Sequence, residues 1–339
     1  MKAIVLEQPG HLRLLDQEEP GAPGPGEALI RIRQVGVCGT DLHAYQGNQP
    51  FFSYPRILGH ELGVEVVAVG ENEQGLASGT RCAVEPYFAC GQCPACLRGK
   101  PNCCLKIQVL GVHIDGGMRE FACLPTRYLH PSSILSYEQL ALVEPLAIGM
   151  HAVSRAQLQE GECVLVVGAG PIGLAVTQFA LLAGAQVMVL DVSEQRLRFC
   201  QQIWPQVICL DGRGDPQSAL QTLVGADLPT AVFDATGNPH SMQAAFSYAG
   251  HGGRLIFVGL FQGEITFNDP DFHRRELTLL SSRNATAADF QRILAALEAG
   301  QIDLISWITH RATVETMIEQ FPSWFERESG IIKAVIAFA

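Results

Sequence analysis

The amino-acid sequence predicts an α/β protein in which a doubly wound parallel sheet is joined to a second, β-rich domain. A chain of 339 residues exceeds the usual size of a single core and suits two domains. Residues 164–191 run through a strand, a glycine turn, a helix and a second strand that ends at an acid. Residues 1 to about 145 instead hold short segments rich in Val and Ile between turn-forming residues, as in a β domain.

Composition and charge limit the classes of function. Apolar residues make up 47% of the chain and charged residues 17%, as in a well-packed globular protein rather than a disordered one. The formal net charge of −11 argues against nucleic acid or an anionic membrane as a partner. The sequence shows no signal peptide and no membrane span. With eleven cysteines, we therefore expect a cytoplasmic protein with reduced thiols and metal sites.

The glycine turn has the spacing of a dinucleotide-binding motif. Residues 163–167 form a short apolar run rich in Val, as expected for a parallel strand buried on both faces. The glycines of G-x-G-x-x-G follow at Gly168, Gly170 and Gly173. They allow, in turn, a tight turn, the approach of a pyrophosphate to the backbone, and close packing of the helix on the sheet. The helix at 172–183 would direct its N-terminal amides at the phosphates.

The second strand of this unit ends at an acid that predicts the cofactor. The helix stops at Gly184, a buried strand is predicted at 186–190, and Asp191 lies 18 residues after Gly173. About 20 residues are expected before the acid that binds the ribose diol. A carboxylate there would repel the 2′-phosphate of NADP, and no Arg or Lys follows at once. The sequence therefore predicts NAD, and the alternative is a β-α-β unit that binds no nucleotide.

The first part of the chain supplies the β-rich domain. Segments 2–6, 27–35 and 63–69 are rich in Val and Ile and predict strands. Residues 20–26, with the sequence P-G-A-P-G-P-G, form a turn-rich connector rather than a helix.

Four closely spaced cysteines lie in the segment A-C-G-Q-C-P-A-C-L-R-G-K-P-N-C-C, at Cys90, Cys93, Cys96 and Cys104. The spacing C-x2-C-x2-C-x7-C fits a closed tetrahedral site of four thiolates. Zinc suits this lobe better than an iron–sulfur cluster, although the spacing alone also allows iron. Cys103 makes the fourth ligand ambiguous, and free or redox-active thiols are the alternative. A site without an open position would be structural.

A second, dispersed set of residues offers the ligands of an open metal site. Cys38 lies in V-G-V-C-G-T-D-L-H, His60 and Glu61 lie in L-G-H-E-L, and Glu144 lies in L-V-E-P-L. A single cysteine is usually a core residue, and an isolated His-Glu pair usually lies at the surface. Together these residues supply one thiolate, one imidazole and carboxylates, which are the ligand types of a catalytic zinc.

The order of these motifs resembles the zinc-dependent medium-chain dehydrogenase/reductase superfamily over essentially the whole chain. The matching segments are C-G-T-D-L-H at 38–43, G-H-E at 59–61, the four-cysteine loop, E-P at 144–145 and G-A-G-P-I-G at 168–173. The position of Glu144, where liver-type alcohol dehydrogenases have a cysteine, is similar to polyol and threonine dehydrogenases. Segments 47–61 and 111–117 are closer still to the bacterial L-galactonate 5-dehydrogenase family, which oxidises a sugar-acid hydroxyl with NAD.

The resemblance implies a fold of two domains. A GroES-like β-barrel catalytic domain with the structural zinc lobe would span residues 1–146, a Rossmann domain would span 147–283, and a return segment at 284–339 would complete the catalytic domain. Independently, strand-like runs at 207–210, 230–234, 254–258 and 277–281 predict a six-stranded doubly wound sheet. Helices are predicted at 218–224, 241–248 and 289–300, and a closing strand at 331–338.

The resemblance also implies two zinc ions in each subunit, one of them in the four-cysteine loop. The implied ligands of the catalytic zinc are Cys38, His60 and Glu144, with Glu61 as an alternative or exchanging ligand. A Lewis acid at an open site makes an alcohol oxygen acidic at neutral pH, which hydride transfer requires. Thr40 and His43 match the family's proton relay to solvent. The alternative for these two residues is an ordinary place in a loop.

The cofactor and substrate positions are likewise carried over residue by residue. The implied cofactor-binding residues are Gly168, Gly170, Pro171, Ile172, Gly173, Asp191, Arg196, Thr236, Val258 and Gly259. For a substrate carboxylate, an arginine offers a bidentate clamp. Arg283, after the last Rossmann strand, is the first candidate, and Arg119 with nearby His113 is the second. The alternative for either arginine is a solvated surface charge.

The motifs and the resemblance together predict a zinc- and NAD-dependent oxidoreductase that acts on a secondary hydroxyl of a sugar acid, such as L-galactonate, or of a related polyol. The alternatives within the enzyme class are L-threonine and sorbitol- or galactitol-type dehydrogenases. A non-catalytic NAD-binding relative is the alternative of another class, and it predicts a missing ligand or relay residue, which the sequence does not show. The resemblance implies a homo-oligomer, a tetramer or dimer, whose partner is a small molecule.

Overall fold

The chain folds as two compact units in the computed structural model, which describes residues 1–50, 52–72, 74–225, 227–326 and 329–338. The first unit comprises Met1–Pro145 together with Ala285–Ala339, and the second comprises Leu146–Asn284. In the described part of the chain, no helix has both the length and the apolar character needed to cross a membrane.

The strands divide between the sheets of the first unit and the parallel sheet of the second unit. They are β1 (Lys2–Gln8), β2 (His11–Asp16), β3 (Glu27–Val37), β4 (Arg56–Ile57), β5 (Glu61–Val69), β6 (Arg81–Val84), β7 (Tyr87–Phe88), β8 (Gln108–Val109), β9 (Phe121–Pro125), β10 (Leu129–Pro131), β11 (Cys163–Val167), β12 (Gln186–Asp191), β13 (Ile208–Asp211), β14 (Ala231–Asp234), β15 (Arg254–Phe257), β16 (Thr278–Ser281), β17 (Ile308–Thr313) and β18 (Lys333–Ala337).

The α-helices lie mainly after residue 136. They are α1 (Gly39–Tyr45), α2 (Pro94–Leu97), α3 (Tyr137–Ala141), α4 (Val143–Ala156), α5 (Pro171–Leu182), α6 (Glu194–Ile203), α7 (Pro216–Val224), α8 (Pro239–Ala244), α9 (Asp269–Arg274), α10 (Ala287–Glu298) and α11 (Val314–Gln320).

The first unit is mostly antiparallel sheet. Its largest sheet has the order β10-β6-β5-β3-β18-β17, with β9 also paired to β3, and a smaller sheet has the order β2-β1-β4. Alternate residues of β3 (Ala28, Ile30 and Ile32) are fully buried, as the period of two requires when one sheet face meets the core. The return segment contributes β17 and β18, and β18 pairs antiparallel with β3. The last strand of the chain therefore lies beside a strand from its beginning.

The second unit contains the predicted six-stranded parallel sheet, with the order β13-β12-β11-β14-β15-β16. The central strand β11 is almost pure Val and Leu and is buried over Val164–Val167, because helices cover parallel sheets on both faces. The α/β fold class and the doubly wound sheet predicted from the sequence are thus confirmed.

Two predicted helices of the second unit differ from the observed ones, since the prediction at 218–224 becomes α7 (Pro216–Val224). The prediction at 241–248 becomes α8 (Pro239–Ala244) followed by a 3-10 turn at Ala245–Ser247. Asn238 accepts hydrogen bonds from the amides of His240 and Ser241, and Pro239 occupies the first helical position. These are strong start signals, so the helix begins two residues earlier than its apolar pattern indicates.

Candidate metal and nucleotide sites

Three potential metal ligands of the first unit converge in the structure. Cys38, His60 and Glu61 each offer one donor atom, and these atoms lie within 4.8 Å of one another. Cys38 directly follows β3 and Glu61 opens β5, and the two strands pair with Gly36 opposite Glu61. The antiparallel register therefore brings together residues that are distant in sequence.

A buried aspartate accepts hydrogen bonds from the two loops that carry Cys38 and His60. Asp41 is fully buried, and its Oδ2 accepts a hydrogen bond from the Cys38 amide at 2.9 Å. Its Oδ1 accepts one from the Gly59 amide at 3.3 Å. Burial lowers the pKa of His60, but the charges of Cys38, Asp41 and Glu144 and a hydrogen bond with Cys38 together raise it more, so the net pKa lies well above its ordinary value. The anionic surroundings therefore favour a cation at this point.

The side chain of Glu61 is held by a lysine from the end of the chain. Lys333 Nζ donates hydrogen bonds to Glu61 Oε1 at 2.5 Å and to the Val37 carbonyl at 3.1 Å. Burial lowers the pKa of Lys333, but its interactions with the negatively charged groups around it, Glu61 first and then Cys38, raise the pKa by more. The net pKa of Lys333 is therefore raised. A Cβ atom at Gly36 would lie 2.0 Å from Glu61 Oε2, so only glycine leaves room for this carboxylate.

Glu144 lies nearby but outside the group of three donors. It follows the first residue of α4, and its Oε1 accepts a hydrogen bond from the Tyr87 hydroxyl. The net pKa of Glu144 is raised to about 7, because burial and the Glu61 charge raise it by more than His60 lowers it. The sequence favours Glu144 as the carboxylate ligand, whereas the structure brings Glu61 into the donor group. The reason is the β3–β5 register, which places Glu61 beside Cys38 while Tyr87 binds Glu144.

The donor group fits a divalent cation. His60 Nδ1 and Glu61 Oε2 are buried without a hydrogen-bond partner. Buried polar atoms nearly always have partners, so each such atom calls for an explanation. A thiolate, an imidazole and a carboxylate are the three protein ligands of a zinc site that keeps one position open. A zinc ion bound to the group would give Glu61 Oε2 a partner, whereas His60 Nδ1 lies 3.8 Å from Asp41 Oδ1.

The four predicted cysteines of the other metal site also lie together. Cys90, Cys93, Cys96 and Cys104 form one group of potential ligands, whose donor atoms lie within 4.8 Å of one another. Backbone amides of Cys96 and Leu105 lower the pKa of Cys93 to about 6. Cys103 is exposed and lies outside the group. The group of sulfurs contains Cys104 and not Cys103, and such a closed set of four fits a structural zinc.

The two relay candidates lie on one face of a short helix. Cys38 caps α1, and the Thr40 amide donates a hydrogen bond to its sulfur at 3.5 Å. Thr40 is half-buried, whereas His43, three residues later in α1, is exposed. Residues three apart are neighbours on a helix surface. The pair thus runs from beside a metal ligand towards solvent, which is the direction that a proton relay needs.

In the second unit, the glycine turn between β11 and α5 has the geometry of a phosphate cradle. Gly168 has φ of +98°, which favours glycine. A Cβ atom at Gly173 would lie 1.7 Å from the Gly168 carbonyl oxygen, so the helix packs too closely for any side chain. Gly170 precedes α5, whose first residues Pro171 and Ile172 are half-buried, and no side chain caps the helix. Its N-terminal amides are thus suited to bind an anion.

Asp191 ends β12 and is held in place by two backbone amides. Its Oδ2 accepts from the Ala169 amide at 2.6 Å, and its Oδ1 accepts from the Ser193 amide at 2.7 Å. The carboxylate is therefore fixed beside the glycine turn, where a ribose diol would bind. Arg196 Nη1 would lie 3.7 Å from a Cβ atom at Gly170, which puts it at the same turn.

The other predicted cofactor residues meet at the ends of β14 and β15. Thr236 donates hydrogen bonds from its amide and its hydroxyl to Asp234 Oδ1, at 2.9 and 2.7 Å. The amides of Val258 and Gly259 both donate to the Asp234 carbonyl oxygen. Asp234, which we did not single out from the sequence, thus fastens both loops at the carboxyl edge of the sheet, where doubly wound folds bind ligands.

The substrate candidates belong to different units, with Arg283 in the second and Arg119 and His113 in the first. Arg283 is exposed and follows β16 at the same carboxyl edge. Arg119 lies in the first unit, and its net pKa is lowered because burial outweighs the opposite effect of the Asp115 charge. His113 Nδ1 accepts a hydrogen bond from the Val109 amide at 3.0 Å. Among the described residues, His113 is not a member of the donor group of Cys38, His60 and Glu61.

Two residues of the metal region were missed by the sequence analysis. Lys333 had a usable signal, because it is a lysine in an otherwise apolar closing strand, I-I-K-A-V-I-A-F. Such a residue requires a buried partner of opposite charge. Tyr87 had no such signal, since an apolar neighbourhood suits a tyrosine whether or not its hydroxyl binds a carboxylate.

Comparisons with known proteins agree with this architecture. The model of the alcohol dehydrogenase GroES-like domain matches residues 24–134, and that of the zinc-binding dehydrogenase domain matches residues 171–299. L-galactonate-5-dehydrogenase of Escherichia coli is 44% identical over 338 residues, which cover 100% of this chain and 99% of that protein. L-arabinitol 4-dehydrogenase of Hypocrea jecorina is 32% identical, with 98% and 93% covered. The crystal structure of the Escherichia coli alcohol dehydrogenase RspB, complexed with NADH, superposes with a TM-score of 0.91 at 30% identity, with 100% and 99% covered.

We predict that Cys93→Ser lowers the thermal stability of the protein, because it removes a thiolate from the four-cysteine group. The fall should be several degrees or more in Tm, measured by circular dichroism, with loss of about one equivalent of zinc. Cys103→Ser is the matched control, since Cys103 is exposed and outside the group. Equal stability and zinc content in both variants would contradict a structural zinc at Cys93.

Proposed function

The chain belongs to the zinc-dependent alcohol dehydrogenase family and is a dehydrogenase, and from that premise we propose that it oxidises a secondary hydroxyl of a sugar acid with NAD. The expected reaction converts L-galactonate to its 5-keto acid. The observation that carries the proposal is the donor group of Cys38, His60 and Glu61, in which His60 and Glu61 are buried and Glu61 Oε2 has no hydrogen-bond partner. The 44% identity to L-galactonate-5-dehydrogenase over the full chain supports the substrate.

The first unit would supply the acid–base part of the reaction. Zinc bound by Cys38, His60 and Glu61 would act as a Lewis acid towards the substrate hydroxyl, much as it lowers the pKa of water from about 16 to about 7. Asp41 keeps the loops of Cys38 and His60 in place. The proton would leave through Thr40, on the first turn of α1, and through His43, which is exposed to solvent.

The second unit would bind the cofactor that accepts the hydride. The glycine turn and the amides at the start of α5 would hold the pyrophosphate, and Asp191 would bind the ribose diol. Asp191 also disfavours NADP, because its fixed carboxylate would repel a 2′-phosphate. The RspB structure was determined with NADH, which supports the same cofactor here. The four-cysteine lobe would hold a second, structural zinc and have no part in the chemistry.

A polyol dehydrogenase is the second candidate function. It is supported by the 32% identity to L-arabinitol 4-dehydrogenase and by Glu144, where liver-type alcohol dehydrogenases have a cysteine. The two candidates share the metal and the cofactor and differ in one requirement, which is a cation for the substrate carboxylate. The family resemblance also supports a homo-oligomer, a tetramer or dimer. The eleven free cysteines support a reducing, cytoplasmic location.

The metal assignment predicts that Cys38→Ser abolishes turnover while the protein still folds. Loss of an outer-sphere partner costs a metal site about 10- to 100-fold, and loss of a direct ligand should cost more. NADH formation measures turnover, and circular dichroism measures folding. Cys123→Ser, a half-buried cysteine of the same unit, is the control. Wild-type activity in Cys38→Ser would remove the catalytic zinc from this position.

The cofactor assignment predicts that Asp191→Ala raises the KM for NAD at least about tenfold and leaves the KM for the substrate nearly unchanged. The reason is the loss of two charge-assisted hydrogen bonds to the ribose diol. Asp211→Ala is a matched control, because Asp211 is the register partner of Asp191 on the neighbouring strand. An unchanged KM for NAD would exclude Asp191 from the cofactor site.

The substrate assignment predicts that Arg283→Leu lowers kcat/KM for L-galactonate about 10- to 100-fold, as expected for loss of a charge-assisted pair. The same variant should oxidise galactitol, which has no carboxylate, as well as the wild type does. Arg119→Leu tests the second candidate in parallel. Equal loss on both substrates would rule out a carboxylate clamp at Arg283, and loss in Arg119→Leu alone would transfer that role to Arg119.

A further inference from the structure

A single lysine interrupts the apolar core strand that ends the chain. Strand β18 has the sequence K-A-V-I-A, and its first residue, Lys333, is only 3% exposed. A buried ammonium group is costly unless charges and hydrogen bonds compensate for it. An apolar side chain at this position would suit the strand, so the lysine indicates a specific partner.

That partner is Glu61, one of the three donors of the metal site. Strand β18 pairs with β3 so that Ala334 lies opposite Val37, the residue before Cys38. The Lys333 ammonium group therefore reaches both the Val37 carbonyl, at 3.1 Å, and Glu61 Oε1, at 2.5 Å. Glu61 Oε2 remains buried and without a partner. One oxygen of the carboxylate is thus fixed by the protein, and the other is available to a cation.

The second carboxylate of this region is restrained in a different way. The Tyr87 hydroxyl donates a hydrogen bond to Glu144 Oε1. Tyr87 is a neutral donor, whereas Lys333 is a cation, so the two carboxylates are held by partners of different strength. The two carboxylates therefore differ in their partners, and only Glu61 of the two belongs to the donor group.

We propose that Lys333 is a positioning residue of the metal site, which binds one oxygen of Glu61 and so presents the other to the cation. The proposal rests on the metal site assigned above and deepens it. Lys333 contacts neither substrate nor cofactor in this account and acts only through Glu61. The return segment thereby takes part in metal binding as well as in completing the sheet.

A positioning role and a purely electrostatic role predict opposite results for Lys333→Met. Removal of a nearby positive charge should, by Coulomb attraction alone, make the site bind a divalent cation more tightly. Loss of the hydrogen bond that orients Glu61 should instead weaken binding about 10- to 100-fold, as is typical of outer-sphere partners of metal ligands. The sign of the change in affinity therefore separates the two.

The experiment uses Co²⁺ as the probe, because its visible absorption reports the geometry of its ligands as well as its binding. Metal-free wild-type protein, Lys333→Met and Lys333→Arg are titrated with Co²⁺ and followed by absorption. The four-cysteine site contributes equally in all of them, so that difference spectra report the Cys38 site. Lys2→Met is the matched control, since Lys2 forms an exposed ion pair with Glu315.

In Lys333→Met, we expect the affinity for the second equivalent of Co²⁺ to fall 10- to 100-fold and the visible absorption bands to change. Lys333→Arg should recover much of the affinity, and Lys2→Met should bind Co²⁺ as the wild type does. Unchanged or tighter binding in Lys333→Met would overturn the proposal. If the wild type binds only one equivalent of metal, the zinc site fails and the role of Lys333 with it. If it binds two and the variants are alike, only the role of Lys333 fails.

A second comparison does not depend on the folding of Lys333→Met alone. Because Lys333 acts through Glu61, the double variant Glu61→Gln, Lys333→Met should bind Co²⁺ at least as well as Glu61→Gln does. The double variant removes both members of the buried ion pair, which avoids an unpaired charge. A further tenfold loss in the double variant would contradict the proposal.

Discussion

The structure of the first unit depends on the balance of charge in one buried region. Cys38, Glu61 and Glu144 bring up to three negative charges together, away from most of the solvent. The Lys333 ammonium group compensates part of this negative charge. The His60 imidazole, whose pKa is raised well above its ordinary value, compensates a further part. The net pKa of Glu144 is raised to about 7, mainly by burial, which further limits the negative charge. A divalent cation bound by the three donors would complete this balance, so the same constraint that shapes the fold also selects the ligand.

Sheet register turns this constraint into a site. The pairing of β3 with β5 sets Glu61 beside Cys38, and the pairing of β18 with β3 delivers Lys333 to the same point. A one-residue slip in either pairing would reverse the faces of the side chains and separate the charges. In the second unit, backbone geometry likewise positions a functional side chain: at the end of β12, the Ala169 amide holds the Asp191 carboxylate beside the glycine turn. In each unit, backbone geometry therefore sets the positions of the functional side chains. Hydrogen bonds to side chains such as Asp41 hold the neighbouring loops in place.

The sequence predicted those parts of the protein whose signals are local. The β-α-β unit, the six-stranded sheet and the four-cysteine lobe follow from glycine spacing, apolar periodicity and cysteine spacing, and each is seen in the structure. The choice between Glu61 and Glu144 could not be predicted, because it depends on which strands pair and on a tyrosine that carries no sequence signal. Lys333 lies 272 residues from Glu61, so that only the observed pairing of β18 with β3 reveals its partner. Long-range pairing is the information that local patterns lack.

The proposed activity, oxidation of a sugar acid with NAD, requires a metal ion held by Cys38, His60 and Glu61. The most direct test is the rate of NADH formation from L-galactonate, measured on protein treated with a zinc chelator and then supplied again with zinc. We expect activity to fall to background as zinc is removed from the Cys38 site, and to return in proportion to the zinc restored. Undiminished activity in protein that retains at most the four-cysteine zinc would contradict the proposal.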